Sequence, residues 1–200
     1  CLEQIRNDVC YHNANVKIVA VGGGFAYGSL GMTHHATEDL AIMRALPNMT
    51  VIAPGDPIEA EAATRAVIAS AGACYLRLGR AGEPIVHSQA IDFRIGRAIS
   101  LRSGKDLTLI ATGSMVPCAL SVAQRLEDHD ISVSVLSMHT LKPLDVEAIE
   151  TAARDTKAIA TLEEHSKLGG LGGAVAEVLA EISNRSVSFI RIGVDSTFVS

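Results

Sequence analysis

Short β-branched runs alternate with helical segments from Val16 onward, and this alternation restricts the fold more than any other feature of the sequence. Strand–helix–strand repeats form right-handed βαβ units around a parallel sheet. The sequence therefore predicts an α/β fold. In chain order, the predicted elements of this first part are the strand "VKIVAV", a helix over residues 37–46, the strand "TVIAP", the helix "DPIEAEAATRAVIAS" and the strand "ACYLRLG".

The ends of the two helices support this interpretation. Thr37 is predicted as the N-cap of the first helix, and acidic residues follow it at the positive end of the helix dipole. Asp56 is predicted to cap the second helix, with Pro57 at its first position and Glu59 closing a capping box. Residues 2–10 also predict a helix, and "VKIVAV" predicts a buried strand.

Residues 81–92 interrupt the alternation, and we interpret them as a linker. A second α/β unit follows, so we predict one domain over residues 1–85 and another over residues 86–200. The predicted strands of the second unit are "FRIGRAISL", "DLTLIATG", "ISVSVLSM", "AIATLEE" and "VSFIRIGV", and its predicted helices are "SMVPCALSVAQRLEDH", "DVEAIETAAR" and "GGAVAEVLAEI".

The composition argues against several classes of protein. A formal net charge of −5 provides no basic field for nonspecific binding of nucleic acid. No run approaches the roughly 20 apolar residues of a membrane span. The four cysteines form no C-x-x-C motif, so they indicate neither a zinc site nor a thioredoxin-type pair. Reduced thiols favour a cytoplasmic protein.

A glycine-rich loop that contains His34 and His35 follows the first strand and precedes a helix. In parallel sheets, ligands bind beyond the carboxyl ends of the strands, which is where this loop is expected. An imidazole there can donate to a substrate oxygen or exchange a proton with it. The alternative is a pair of surface histidines on a solvated loop.

Arg80 follows the strand "ACYLRLG" and is therefore expected at the same sheet edge. Its planar fork suits a phosphate or carboxylate, and the alternative is an ordinary surface arginine. Because Arg77 alternates with it, one of the two arginines is expected to be structural. Near the C-terminus, Glu163, Glu164 and His165 could ligate a metal, but adjacent residues at a strand end rarely converge on one ion.

A series of motifs resembles the transketolase family. The pattern GxxGxTHxxxEDxAxMRxLPNMxVxxPxDxxE, from Gly28 to Glu59, and the later "YLRLGR" resemble its pyrimidine-binding domain. The stretches "DLTLIATGSMVPCAL", "LKPLD" and "LEEHSKLGGLGGAVAE" resemble the transketolase C-terminal domain. The resemblance covers essentially the whole chain. It is greatest to the short C-terminal subunit of split transketolases.

The resemblance implies an incomplete parallel-sheet pyrimidine-binding domain followed by an α/β transketolase C-terminal domain. It implies a thiamine-diphosphate- and Mg²⁺-dependent transferase that moves a two-carbon ketol unit between sugar phosphates. Family active sites lie between subunits, so a homodimer is implied, or a heterotetramer with a thiamine-diphosphate-binding N-terminal domain or subunit. His34 would hold or protonate an oxygen of the sugar, and Arg80 would bind its phosphate. His35, like His34 in the loop, would contact the substrate.

Two positions depart from the family pattern. Aligned on the Thr-His motif, an earlier substrate-facing histidine of the family falls on Gly22, and an aspartate that recognises a sugar hydroxyl falls on Leu30. Neither residue has a side chain that can form those hydrogen bonds. A site without hydroxyl partners discriminates poorly in favour of hydroxylated substrates. We hypothesise that the substrates are not the usual pentose phosphates, or that Tyr27 replaces a lost donor.

The family segments that bind the diphosphate and Mg²⁺ and that activate the aminopyrimidine have no counterpart in these residues. We therefore expect a fragment at both ends, which is inactive alone. Within the same fold, the alternatives are a deoxyxylulose-phosphate synthase and the beta part of a 2-oxo acid dehydrogenase. An alternative of a different class is a non-catalytic assembly module.

Overall fold

The computed structural model describes residues 1–182, 187–195 and 198, which form two β-sheets with helices between their strands in the sequence. The helices are α1 (Leu2–Gln4, continued as a π-helix over Ile5–Tyr11), α2 (Asp39–Ala45), α3 (Pro57–Ala69), α4 (Met115–Glu127), α5 (Val146–Asp155) and α6 (Leu171–Glu181). The strands are β1 (Lys17–Val21), β2 (Met49–Ile52), β3 (Ala73–Leu78), β4 (Ile99–Arg102), β5 (Leu107–Ala111), β6 (Val133–Ser137), β7 (Thr140–Lys142), β8 (Ala158–Ser166) and β9 (Ser188–Val194).

The predicted α/β class is confirmed, with two sheets in which parallel pairing dominates. The first sheet has the order β1-β3-β2-β7, and the second has the order β4-β6-β5-β8-β9. Only β7 and β4 pair antiparallel with their neighbours among the described strands. Loops that follow β1 and β3 therefore emerge at one edge of the first sheet.

Strand β7 was not predicted, and it connects the two halves of the chain. It lies in the second half but pairs with β2 of the first, with Thr140 opposite Ile52. One buried apolar cluster accordingly contains Val51 from the first half together with Ile110 and Ile159 from the second. The two predicted units thus share a sheet and a core.

The local predictions for β1, for the cap of α2 and for the strand "FRIGRAISL" were wrong. Strand β1 is an edge strand of the described sheet and not a buried one, because it pairs only with β3; Val19 is 54% exposed and Val21 62% exposed. Thr37 does not cap α2, whose N-cap is Glu38 without a side-chain cap bond. The carbonyl of Thr37 accepts instead from Ser166 N at 2.7 Å. Of "FRIGRAISL", only the end forms part of β4.

The segment between β3 and β4 has no helix or strand and is tied to the start of α3. Asp56 Oδ1 accepts from Glu59 N at 2.7 Å, which confirms the predicted cap. Its Oδ2 accepts from the backbone N–H groups of Val86 and His87 at 2.9 and 3.1 Å. Glu59 does not close the predicted box onto Asp56 N; its carboxylate accepts from Gly55 N at 2.7 Å and contacts His87 Nε2 at 2.9 Å.

Replacing Asp56 by alanine is expected to lower the free energy of unfolding by about 2 kcal/mol. The cap alone contributes about 1 kcal/mol, and two further half-buried N–H groups lose their acceptor. Urea denaturation measures the change. Asp155→Ala, at an exposed position that pairs only with Arg154, is the matched control and should change stability by less than about 0.5 kcal/mol. Equal effects of the two substitutions would contradict the role assigned to Asp56.

No helix among the described residues is both long and apolar enough to cross a membrane.

Candidate functional site

The glycine loop, residues 22–36, begins directly against the end of β3. Gly22 N donates to the carbonyls of Leu78 and Gly79 at 3.0 and 3.1 Å, and Gly23 N also donates to Leu78 O. Arg80 is the next residue after Gly79. The loop and Arg80 therefore lie at the same edge of the first sheet, as the sequence predicted.

The two ends of the loop are joined to each other. Gly24 and Ala36 form a two-way bridge, with both N–H···O distances at 3.0 Å. Between them, the chain makes two short 3₁₀ turns, Gly28–Leu30 and Met32–His34. Most of the candidate substrate-contacting side chains are thereby carried on one closed loop.

His34 and His35 have different surroundings in spite of their adjacency. His34 is exposed, and its Nδ1 lies 3.1 Å from Thr33 Oγ1. His35 is half-buried, packs edge-to-face on Phe25 with ring centroids 4.9 Å apart, and its Nε2 approaches Gly28 O at 3.4 Å. His34 can therefore reach a ligand, whereas the ring of His35 also stabilises the inside of the loop.

The ring of Tyr27 lies where a side chain at position 22 would be. A Cβ built on Gly22 would lie 2.5 Å from both Cδ2 and Cε2 of Tyr27, a distance that real Cβ atoms essentially never show. Gly22 also has φ +97°, which L side chains rarely adopt. The Tyr27 ring can therefore lie at this position because residue 22 has no side chain.

Arg80 is exposed at the mouth of a cleft of about 230 Å³, which Val21, Leu78 and Pro54 also line. Arg80 has no ion pair with any described residue, so its guanidinium is available to an anion. Leu30, on the glycine loop, is 58% exposed. Asp56 and Glu83 also line this cleft, so the described surroundings of Arg80 combine its guanidinium with apolar side chains and two carboxyl groups.

Arg77 is the buried member of the arginine pair, at 5% exposure. Its Nη2 donates to Ala36 O at 2.6 Å and to Glu164 O at 3.1 Å, and its Nε lies 3.1 Å from Asp39 Oδ2. The hydroxyl of Tyr75 donates to the same carboxylate oxygen at 2.7 Å. Burial and the Asp39 carboxylate raise the pKa of Tyr75, so the phenol stays protonated and remains the donor.

Glu163 and His165, at the end of β8, are engaged in backbone contacts. Glu163 accepts from the N–H groups of Leu171 and Gly172, both at 2.7 Å. Burial raises the pKa of Glu163 to about 7, against the lowering effect of those two bonds. His165 Nδ1 lies 2.8 Å from Ser166 O and its Nε2 accepts from a backbone N–H of α2, while burial lowers its pKa, so it is a neutral Nδ1–H tautomer.

The described residues do not offer a ligand set for the metal ion of a thiamine cofactor. No group of three or more His, Cys, Asp or Glu residues in residues 1–182, 187–195 and 198 could hold a metal ion. The buried carboxylates Glu59 and Glu163 are occupied by backbone N–H groups. What the described residues do offer is an exposed imidazole and an aromatic ring on a loop that begins at one sheet edge, and a guanidinium that follows β3 at the same edge.

Two α/β units that share a sheet define an α/β protein whose closed glycine loop lies at the carboxyl ends of parallel strands, the place where ligands bind in sheets of this kind. The family model described as transketolase, pyrimidine binding domain matches residues 1–82, and the model described as transketolase, C-terminal domain matches residues 96–200. The chain belongs to the transketolase family.

Curated relatives and a solved structure agree with this assignment. The chain is 42% identical over 181 residues to one of the subunits of the apulose-4-phosphate transketolase of Phocaeicola vulgatus, covering 90% of this chain and 58% of that protein. It is 41% identical over 198 residues to a putative transketolase C-terminal section of Methanocaldococcus jannaschii, covering 98% and 61%. A split-gene transketolase solved as an inactive tetramer of its beta chains superposes with a TM-score of 0.88 at 45% identity, covering 96% and 62%.

The chain thus spans about three fifths of the length of the relatives it matches, 58% and 61% for the two curated proteins. The positions of the loop and of Arg80 follow from the sequence, whereas the contact between Tyr27 and Gly22 and the contacts that Arg77 makes across the fold do not. The one signal for Arg77 in the sequence was its spacing from Arg80, since Arg77 lies on β3 and Arg80 follows that strand.

Proposed function

We propose that this chain is the substrate-handling part of a thiamine-diphosphate-dependent transketolase, a transferase that moves a two-carbon ketol unit between sugar phosphates. The observation that supports this most is the placement of exposed His34 and Arg80 at one sheet edge, on and beside a loop closed at its base. Family membership supplies the reaction class, and these two side chains match its chemical needs.

Each residue has a separate task in this proposal. The cofactor, when bound, supplies the electron sink for cleavage beside a carbonyl. His34 donates to the substrate oxygen on which charge develops, or exchanges a proton with it. Arg80 binds the phosphate with its two-pronged donor, and Tyr27 and His35 contact the sugar between them. Thr33 orients the His34 ring through Nδ1.

The remaining parts of the site are proposed to come from outside these residues. A thiamine-diphosphate-binding N-terminal domain or subunit would hold the diphosphate and Mg²⁺, so the chain alone is inactive. A homodimer or a heterotetramer would complete the site.

The four cysteines are free thiols in the structure, which supports a cytoplasmic location.

The test is an assay of the intact protein together with the region that binds the diphosphate. Ketose phosphates serve as donors and aldehydes as acceptors, with and without thiamine diphosphate and Mg²⁺. Cofactor-dependent ketol transfer supports the proposal. Turnover of pyruvate in place of a ketose would indicate a deoxyxylulose-phosphate synthase or a dehydrogenase part. A correctly assembled complex without turnover of any donor would indicate an assembly module.

Gly22 and Leu30 stand where the family pattern has polar residues, and this difference is relevant to which sugar phosphates the site would bind. We propose that the substrates are not the usual pentose phosphates, and that the Tyr27 hydroxyl supplies a donor which the site otherwise lacks. Packing of its ring on Gly22 supports this, because the ring occupies the volume of the missing side chain. Equal rates with ordinary pentose phosphate donors would overturn the first part.

Tyr27→Phe is expected to lower kcat/KM for the native sugar about 10-fold. The ring stays packed on Gly22, so only the hydroxyl is lost, and one neutral hydrogen bond contributes about 0.5–1.5 kcal/mol. Steady-state kinetics measure the change, and the melting temperature should not move. Tyr11→Phe, at a site that is 81% exposed, is the matched control. An unchanged kcat/KM would show that the hydroxyl does not contact the sugar.

A further inference from the structure

We infer that Arg77 is a positioning residue that fixes where the glycine loop lies. The second half of the chain contributes to this through the main-chain carbonyl of Glu164, which accepts a hydrogen bond from Arg77. The effect that we expect on catalysis rests on the proposed function, because the loop carries His34. The way in which Arg77 holds the loop is independent of any activity.

Arg77 passes directly beneath the start of the loop. It lies on β3 opposite Ala20 of β1. A Cβ built on Gly23 would lie 2.6 Å from Arg77 Nε and 2.9 Å from Cζ, so only glycine allows the guanidinium to lie this close to the main chain. The first residues of the loop and the Arg77 side chain are therefore packed on each other.

The same guanidinium holds the end of the loop. Nη2 donates to Ala36 O at 2.6 Å, and Ala36 is the residue that bridges back to Gly24. Nε lies 3.1 Å from the carboxylate of Asp39, in the first turn of α2. One side chain thus contacts both ends of the loop and the helix that follows it.

The second half of the chain completes this arrangement. Glu164 O accepts from Arg77 Nη2 at 3.1 Å. The Glu164 carboxylate covers Gly24 so closely that a Cβ there would collide with it, and it accepts from Ser114 Oγ at 3.1 Å. The end of β8 therefore packs against the base of the loop. Residues of the second half of the chain thus help to fix the position of the loop.

Burial makes the loss of these contacts costly, although Arg77 Nε and Asp39 Oδ1 form no hydrogen bond with any described residue. The side chains of Arg77 and Asp39 are 5% and 15% exposed, so their attraction is little screened by solvent. Removing one partner of such a pair leaves the other charge and the carbonyl acceptors unsatisfied. Arg80, three residues later, makes no hydrogen bond to the loop in the described part of the chain, so it is expected to keep its place when Arg77 is changed.

The first measurement is amide hydrogen exchange of Arg77→Lys in the intact protein. His34 N, His35 N and Ala36 N are bonded within the loop, at 3.0, 3.2 and 3.0 Å. We expect their exchange to accelerate at least 10-fold, with no change in α5. Lys142→Met is the matched control, because Lys142 donates to the carbonyls of Arg44 and Leu46 at the other end of α2 and does not touch the loop.

The second measurement is steady-state kinetics of Arg77→Lys in the complete enzyme with its cofactor and diphosphate-binding region. We expect kcat to fall about 10-fold while KM for the sugar phosphate stays within about 3-fold, because Arg80 still binds the phosphate. A purely structural residue would instead lower the melting temperature and accelerate exchange throughout the chain.

Gly23→Ala provides a second variant should Arg77→Lys fail to fold, since it displaces the guanidinium without removing a charge. Unchanged loop exchange in both variants, or acceleration spread evenly over the chain, would overturn the inference. Faster loop exchange with unchanged kcat and KM would overturn the positioning role. Absence of turnover in the unmodified enzyme would instead count against the proposed function, and the exchange result would still decide how the loop is held.

Discussion

His34→Ala is expected to lower kcat of the complete, cofactor-loaded enzyme by at least 100-fold. A positioned acid–base group contributes about 10²–10⁴-fold, and an oxyanion donor contributes a similar factor. His34 is exposed, and its hydrogen bond to Thr33 Oγ1 is local, so its removal should leave the fold intact. Steady-state kinetics with saturating donor and acceptor measure the effect.

His34→Gln separates the two tasks of the imidazole. Glutamine can still donate a hydrogen bond but cannot exchange a proton near neutral pH. Recovery of activity above the alanine variant would assign His34 as a donor, and no recovery would assign it to proton transfer. His129→Ala, at an exposed histidine after α4, is the matched control. A loss of less than 3-fold in His34→Ala would refute its place at the reacting atoms.

Arg80→Met is expected to raise KM for the sugar phosphate about 30-fold or more, with kcat within about 3-fold. Hydrogen bonds to charged groups contribute about 1.5–3 kcal/mol, and a bidentate fork makes two of them. Under the proposed function Arg80 binds a phosphate that does not react, so it binds the ground and transition states equally and its loss raises KM. Donor saturation curves measure the change.

Arg80→Lys should recover only part of the affinity, because an ammonium is a point charge without the planar fork. Arg65→Met is the matched control, since Arg65 is 78% exposed and pairs only with Glu61 on its own helix. Competition by inorganic phosphate gives an independent readout, and it should weaken in Arg80→Met alone. The assignment fails if KM and phosphate competition are both unchanged.

Local sequence patterns predicted most of the elements correctly because helices and strands depend on neighbours within a few residues. The Asp56 cap, the strands β2 and β3 and the helix over Pro57–Ala69 all follow from such patterns. Thr37 shows the limit. Its residue type suits a cap, but a tertiary bond from Ser166 N to its carbonyl places it outside the helix.

The candidate site was predicted in its position but not in its internal contacts. His34 and Arg80 could be placed because both follow parallel strands, whose carboxyl ends meet at one edge. The packing of Tyr27 on Gly22 could not be read from the residue types, because it depends on how a loop folds back on itself. The division of labour between Arg77 and Arg80 likewise needed the pairing of β3 with its neighbours.

The sequence by itself determined the α/β class, most of the elements, the absence of a basic charge excess and membership of the transketolase family through its motifs. Only the tertiary structure decided that β7 joins the first sheet, that β1 is an edge strand and that Arg77 holds the glycine loop. The physical reason is sequence distance. Arg77 meets Ala36 across 41 residues and Glu164 across 87, and Ala41 meets His165 across 124, separations over which no local periodicity carries information.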